Sequence, residues 1–274
     1  MDQRTEEKLA QSLTGKSITE IIPFLSYLLQ DLWELGAIPG DIVQLIAFHQ
    51  INTKNLKVLD LGCGKGAVSI ELAKAFGFTV KGIDLLPEFI EYARQKAEEM
   101  KVSSLCQFVP GDMNLAVETE KDYDMVILGS VGSVLGGPLE TLLKLKKVLK
   151  PERGYIILDD AYIRDPENDP VLKSGGDYYS YAHWLEAFDQ AGLLLIGEKT
   201  TNEAELAQVN ESNNLAIIKR ARELKAKYPD KAQLFDDYIK NQQDECDDLA
   251  ENILGVTWLL RTGEKMQQSR LKEG

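Results

Sequence analysis

Asp60, Gly62, Gly64, Gly66 and Asp84 are the residues whose types and spacing could do chemistry. The glycines punctuate the run Gly62-Cys63-Gly64-Lys65-Gly66, directly after the apolar stretch 56–61. Glycine permits the dihedrals of a tight turn and lets a ligand approach the backbone with no side chain in the way. A helix expected over 67–76 would aim its N-terminal N–H groups and partial positive charge at that turn. Asp60 narrows the ligand. A carboxylate two residues before the first glycine repels a pyrophosphate and pairs with an ammonium. The spacing is G-x-G-x-G, where a dinucleotide site wants G-x-G-x-x-G. Asp84, at the tip of the next strand, is placed to accept both hydroxyls of a ribose. The set suits a nucleoside that carries a cationic amine.

These residues need strands that end together. Residues 56–61, 78–83, 105–109, 123–128 and 154–158 read as apolar strands, with helices expected over 67–76, 87–100 and 138–149. Alternating strands and helices, with strands apolar throughout, predict an α/β fold in which a parallel sheet is covered on both faces. Ligands bind such sheets at the C-terminal strand ends. Asp60, Asp84, Asp112, Gly129 and Asp160 all fall there.

The run VLDLGCGKG followed by GID resembles the class I S-adenosylmethionine-dependent methyltransferases, over residue 56 to about residue 197. The resemblance implies a three-layer, doubly wound, Rossmann-like sheet of seven strands in the order 3-2-1-4-5-7-6, with strand 7 antiparallel. It implies S-adenosyl-L-methionine as cofactor. Asp60, Gly62, Cys63, Gly64 and Gly66 would hold its amino acid end, Asp84 and Leu85 its ribose, Asp112 and Met113 its adenine, and Gly129 would flank the methionine end. The turn 149–154 resembles the family's L-K-P-G-G, with Glu152-Arg153 in place of one small residue.

The residues closing the fourth strand, Leu128-Gly129-Ser130-Val131, disfavour several acceptors. Enzymes that methylate the amino groups of bases or glutamine carry Asn/Asp-Pro-Pro-Tyr there, and cytosine carbon methylation wants Pro-Cys. Metal-dependent catechol methylation wants an acid where Gly129 stands, and no metal site is expected. The acidic stretch Asp244, Glu245, Asp247, Asp248 reads as a solvated helix face. A small-molecule methyl acceptor remains. Asp160, Tyr162 and His183 are the candidate bases, from their position after the fifth strand; loop capping, packing and surface roles are the competing readings.

Composition sets outer bounds. The 274 residues carry a net charge of −13 and a pI near 4.8. An acidic surface opposes nucleic acid and anionic membranes. No apolar run is long enough to span a bilayer, and Cys63, Cys106 and Cys246 show no paired spacing. A cytoplasmic protein, monomer or homodimer, with no nucleic-acid or membrane partner, is expected.

Residues 1–52 read as a helical cap: a loose arm over 1–16, a helix from 21 to 33 capped by Ser17 to Glu20, and a helix over 42–49 capped by Asp41. Residues 53–274 read as the cofactor-binding domain. After a helix over 178–192 and a strand over 193–198, the seventh strand is expected at 255–261. Residues 202–254 then form a helical hairpin inserted between strands 6 and 7, either a lid or a dimer interface, and 266–274 a polar tail. The expected activity is methyl transfer to a small molecule. The alternatives are a non-catalytic S-adenosylmethionine-binding protein and a nicotinamide-dependent oxidoreductase.

Overall fold

The computed structural model describes residues 7, 10, 18–51, 55–151, 153–168 and 172–263. The expected arm and tail, Ser17 and Glu152 therefore lie outside the described residues, apart from Glu7 and Ala10. Eight strands are present among the described residues: β1 (Lys57–Leu61), β2 (Thr79–Asp84), β3 (Cys106–Pro110), β4 (Met125–Gly129), β5 (Tyr155–Ile163), β6 (Tyr179–Ser180), β7 (Leu193–Thr200) and β8 (Ile253–Thr262). Seven form the path β3-β2-β1-β4-β5-β8-β7, which is the order expected. β8 runs antiparallel between β5 and β7. The eighth, β6, pairs two residues in parallel with the end of β5, Tyr162 with Tyr179 and Ile163 with Ser180.

Nine α-helices surround the sheet among the described residues: α1 (Ile22–Leu28), α2 (Pro39–Phe48), α3 (Ala67–Phe76), α4 (Pro87–Glu99), α5 (Met113–Thr119), α6 (Pro138–Val148), α7 (Tyr181–Gln190), α8 (Glu203–Lys227) and α9 (Ala232–Glu251). The period-2 alternation of β1, β4 and β5 divides their apolar residues between two cores. Leu59, Val126, Leu128, Ile156 and Leu158 face α6 and α7. Val58, Met125, Ile127 and Ile157 face α2 and α3.

Local chemistry explains where the elements depart from expectation. The first helix starts with Pro23 in its first turn and stops at Leu28, short of Trp33. Leu32 is nonetheless buried, by a turn rather than a helix. α2 begins at Pro39 with Ile38 as its cap, so Asp41 lies inside the first turn and pairs with Lys199. Ser180, not Tyr178, starts α7, its hydroxyl accepting from the His183 N–H. α5 was not foreseen; Asp112 caps it by accepting from Asn114 N–H at 2.8 Å.

The long hairpin α8–α9 forms one apolar core with α1. Ile21, Leu25 and Leu28 pack on Ile217, Ala221, Leu224, Phe235 and Tyr238, together with Leu86, the cap of α4, and Phe89 in its first turn. Phe24 meets Phe235 and Tyr228 edge-on at 5.1 and 5.3 Å. Arg220 grips Asp31 with two nitrogens at 2.7 Å. Segments remote in sequence thus close one cover beside the C-terminal strand ends.

Candidate active site

The turn after β1 is held by its own backbone. Gly62, Gly64 and Gly66 have φ of 70°, 52° and 79°. Gly66 is also required sterically, since a Cβ there would lie 2.8 Å from Phe108 Cζ and 2.9 Å from Ala93 Cβ. Gly62 and Cys63 N–H both donate to Ile83 O, at 2.8 and 3.1 Å. Gly66 N–H donates to Cys63 O, and Gly64 N–H to Asp84 Oδ2 at 2.9 Å. The free N–H groups were expected from the start of α3, aimed at this turn; these four N–H groups of the turn itself are spent inside the protein. A phosphate would find none of them open. This arrangement fits a cation beside carboxylates better than it fits an anion.

Asp60 is 3% exposed and accepts from Ser69 Oγ at 2.6 Å. Burial pushes its carboxyl up to about 6; Ser69 opposes the rise and nearby Asp84 adds to it. Asp84 is raised too, by burial first, against the N–H groups of Leu86, Gly64 and Leu85. Its Oδ1 accepts from Leu86 N–H at 3.0 Å. Two carboxylates close enough to repel, with no cation paired to either among the described residues, make a place where positive charge is welcome.

The remaining cofactor candidates lie around the same turn. A Cβ on Gly62 would fall 2.6 Å from Val131 Cγ1 and 3.0 Å from Met113 Cε, so these two side chains flank it. Asp112 stands next to Met113 at the head of α5. Gly129 ends β4 against Ala37, where a Cβ would come to 3.0 Å. Leu85 is half-buried. Cys63 differs from the others. Its thiol turns into the core with Ile70, Ile90 and Phe108, where burial raises it well above the ordinary thiol range. Any part it takes in holding a ligand is through its backbone.

Lys65 carries a role that its place in the sequence does not announce. It is 3% exposed, and its ammonium donates to Leu29 O and Leu32 O at 2.6 Å each, beyond the C-terminal end of α1. Trp33 Nε1 donates to Lys65 O at 3.3 Å. The glycine turn therefore pins the cover directly. The segment it holds lies over the site, with Leu35 3.3 Å from a Cβ on Gly64, and Gly36 packed against Ser130. A lysine between two glycines, followed by no acid that could pair with it, was the available signal.

The three candidate bases separate. Asp160 lies on β5 one residue past Asp159, the register partner of Gly129. It is deep in the protein, and burial pushes it up to about 7. Tyr162 stacks on Trp258 at 6.4 Å and tilts against Tyr181 at 5.1 Å, as a packing residue does. His183 is exposed on the first turn of α7, stacked on Tyr179 at 4.9 Å. Neighbouring Asp159 faces the opposite side of the sheet, accepting from Ser130 Oγ and, at 2.6 Å, from Thr257 Oγ1.

The acidic stretch of α9 also separates, against the expectation of one solvated face. Asp244 pairs with Lys240, and Asp247 with Lys173. Glu245 and Asp248 turn inward. Asp248 is fully buried and accepts from the N–H groups of Lys173 and Ser174 at 3.1 and 2.8 Å, tying the segment before Tyr178 to α9. No group of His, Cys, Asp and Glu among the described residues could hold a metal. No helix among them is long and apolar enough to cross a membrane.

Residues 52–214 match the family model described as a methyltransferase domain. The chain belongs to that family, and its fold is of the class I, S-adenosylmethionine-dependent kind. A malonyl-[acyl-carrier protein] O-methyltransferase of Halalkalibacterium halodurans is 35% identical over 169 residues, 54% of this chain and 60% of that one. The 23S rRNA (uracil(1939)-C(5))-methyltransferase RlmD of Shewanella sediminis is 29% identical over 185 residues, 59% of this chain and 40% of that one. The chain thus spans about half the length of these curated relatives. A methyltransferase of Geobacter sulfurreducens, solved in complex with S-adenosyl-L-homocysteine, shares the fold with a TM-score of 0.72 at 19% identity, covering 87% of this chain and 97% of that one. The acceptors named for the two relatives differ, a carrier protein and an rRNA, so family membership leaves the acceptor open.

Proposed function

We propose that the chain binds S-adenosyl-L-methionine at the ends of β1, β2 and β3 and transfers its methyl group to a small molecule held under the cover formed by α1, α8 and α9. One observation carries the reading. Asp60 and Asp84 converge on a glycine turn whose N–H groups are already bonded, so the site favours a cationic nucleoside over a pyrophosphate.

When bound, this cofactor supplies an electrophilic methyl group on a sulfonium. The protein's share is then mainly alignment and exclusion of water, which can supply roughly 7–11 kcal/mol in good cases. In this reading Asp84 accepts from the ribose hydroxyls, its orientation fixed by Gly64 and Leu86 N–H. Asp60 attracts the ammonium, oriented by Ser69. Met113 and Val131, which flank Gly62, would pack on the cofactor, and Asp112 at the head of α5 would accept from its adenine amino group. The 35–37 segment, pinned through Lys65, closes the mouth. The small-molecule reading is supported by that cover and by the net charge of −13, which opposes an RNA partner.

Titration calorimetry with S-adenosylhomocysteine tests the cofactor half. Micromolar binding is expected, with no heat from NAD. Tight NAD binding and silence with S-adenosylhomocysteine would return the oxidoreductase reading. Bound cofactor without transfer to any small acceptor would leave a non-catalytic binder.

A further inference from the structure

Beyond the cofactor turn, a second set of polar groups gathers between the end of β5, the segment 172–178 and α9. Tyr178 feels the charges of Glu245, Asp160 and Asp248, and burial keeps its phenol protonated far above the ordinary range. Tyr238, Asn241, Glu245 and Asp248 follow one another along a single face of α9. Tyr238 is 2% exposed and Asn241 4%, yet Tyr238 Oη and Asn241 Oδ1 have no hydrogen-bond partner among the described residues. Tyr238 feels the charge of Glu245, two turns further along the same face of α9. Asp160 and Glu245 are deeply enclosed, but each keeps partial contact with solvent, as groups lining a hollow do. Native proteins rarely leave buried polar atoms unpaired without a ligand or water to serve them.

The balance of this set is one-sided. Asp160 accepts from Ala161 N–H with one oxygen, and Glu245 makes no ion pair among the described residues. The nearest basic side chains are committed elsewhere: Lys173 to Asp247 and Glu251, and Arg164 to Glu203 and the carbonyls of Ile253 and Leu249. A hydrocarbon would strand two carboxyl groups out of water, and an anion would be repelled by them. A ligand with N–H donors and a positive charge answers every open group.

We propose that the methyl acceptor is a small cationic amine, seated between Asp160, Tyr178 and Glu245 with Tyr238 and Asn241 accepting its N–H groups. This rests on the methyltransferase reading above and names its substrate class. An ammonium has no lone pair, so it first gives a proton to Asp160, the carboxylate next to the β4 end. The freed nitrogen lone pair then forms the new N–C bond as the methyl–sulfur bond breaks with its electron pair to sulfur, and the positive charge returns to the amine. Glu245 holds that charge before and after transfer.

The test is calorimetry on the full chain saturated with S-adenosylhomocysteine. Dimethylammonium and trimethylammonium are compared with uncharged alcohols of similar shape, isopropanol and tert-butanol. The cations are expected to bind about tenfold or more tightly, by roughly one charge-assisted contact. Glu245→Gln should erase the preference, while S-adenosylhomocysteine affinity stays as in the parent. Equal affinity for the cations and alcohols, or a preference that survives Glu245→Gln, overturns the amine assignment and leaves the methyltransferase reading intact. Loss of S-adenosylhomocysteine binding in the parent chain would instead strike that reading itself. Radiolabelled methyl transfer to dimethylamine, lowered at least tenfold in Asp160→Asn, supports the proton step; transfer to dimethylamine unchanged in that variant removes it.

Discussion

The two halves of the site are built by opposite means. The cofactor half is local: Asp60, the three glycines and Ser69 come from one strand–turn–helix unit, and Asp84 from the next. Four N–H groups of the turn and the Asp60 carboxylate are bonded within the unit or to the adjoining β2 before any ligand arrives. The proposed acceptor half is assembled from β5, the 172–178 segment and α9, far apart in the chain, and it keeps atoms unpaired among the described residues at Tyr238 and Asn241. A pocket that must hold one fixed cofactor is preorganised by its own turn. The pocket that decides specificity is made by insertions and left with hydrogen-bonding capacity for its ligand to use.

If this contrast is right, damage to the local half should act most strongly and most specifically on cofactor affinity. Asp84→Ala removes the ribose acceptor and unpins Gly64 and Leu86 N–H. A loss of S-adenosylhomocysteine affinity on the order of 100-fold or more is expected by calorimetry. A tenfold loss or less would mean that another group carries the ribose.

The glycines of the turn offer an internal control. Gly66→Ala forces φ of 79° on a residue with a Cβ, and drives that Cβ into Phe108 and Ala93. Gly77 has a similar φ of 69° at the end of α3, but a Cβ there meets nothing within 4 Å. Urea unfolding should show a loss of about 3 kcal/mol for Gly66→Ala and about 1 kcal/mol for Gly77→Ala. Equal losses would reduce the turn's glycines to a backbone requirement with no packing component.

Asp60 tests whether the site holds charge at a cost to the fold. Its folded carboxyl titrates near 6 against an ordinary 3.8. A raised carboxyl leaves stability intact below the unfolded value and loses it as pH climbs through 6. Asp60→Asn should therefore stabilise the ligand-free protein by about 2 kcal/mol at pH 7.5 and by almost nothing at pH 3.5, while weakening cofactor binding. Thermal unfolding across that range reads the difference; a gain at pH 3.5 as large as at pH 7.5 would put the cause in packing, not charge.

The same contrast explains what could be read from the chain alone. The strands and the acids at their ends followed from apolar runs broken by glycine and aspartate, because each signal lies within a few residues of its consequence; the strand order followed from the resemblance to the methyltransferase family. Glu245 could not be told from Asp244 or Asp247 by composition. Which carboxylate of a helix faces inward depends on Tyr178 and Asp160, whose nearness is a tertiary fact. Lys65 is similar: its partners are carbonyls of Leu29 and Leu32, and a carbonyl leaves no mark in sequence. That the N–H groups of Gly62 and Cys63 are spent was equally hidden, because Ile83 O, which takes both, belongs to the neighbouring strand.

The smallest expected effect concerns the histidine that sequence position alone brought forward. His183 is exposed, and its contacts are the stack on Tyr179 and the N–H bond to Ser180. The bond to Ser180 uses the backbone and survives substitution. His183→Ala then gives up one exposed aromatic contact, about 0.5 kcal/mol of stability. Its kcat/KM toward an amine acceptor should change less than about twofold, and its pH–rate profile should overlay the parent's. Asp160→Asn beside it should shift that profile. A His183→Ala enzyme that loses the limb near neutral pH would move the proton acceptor from the strand end to the face of α7, and the acceptor pocket would have to be redrawn around Tyr179.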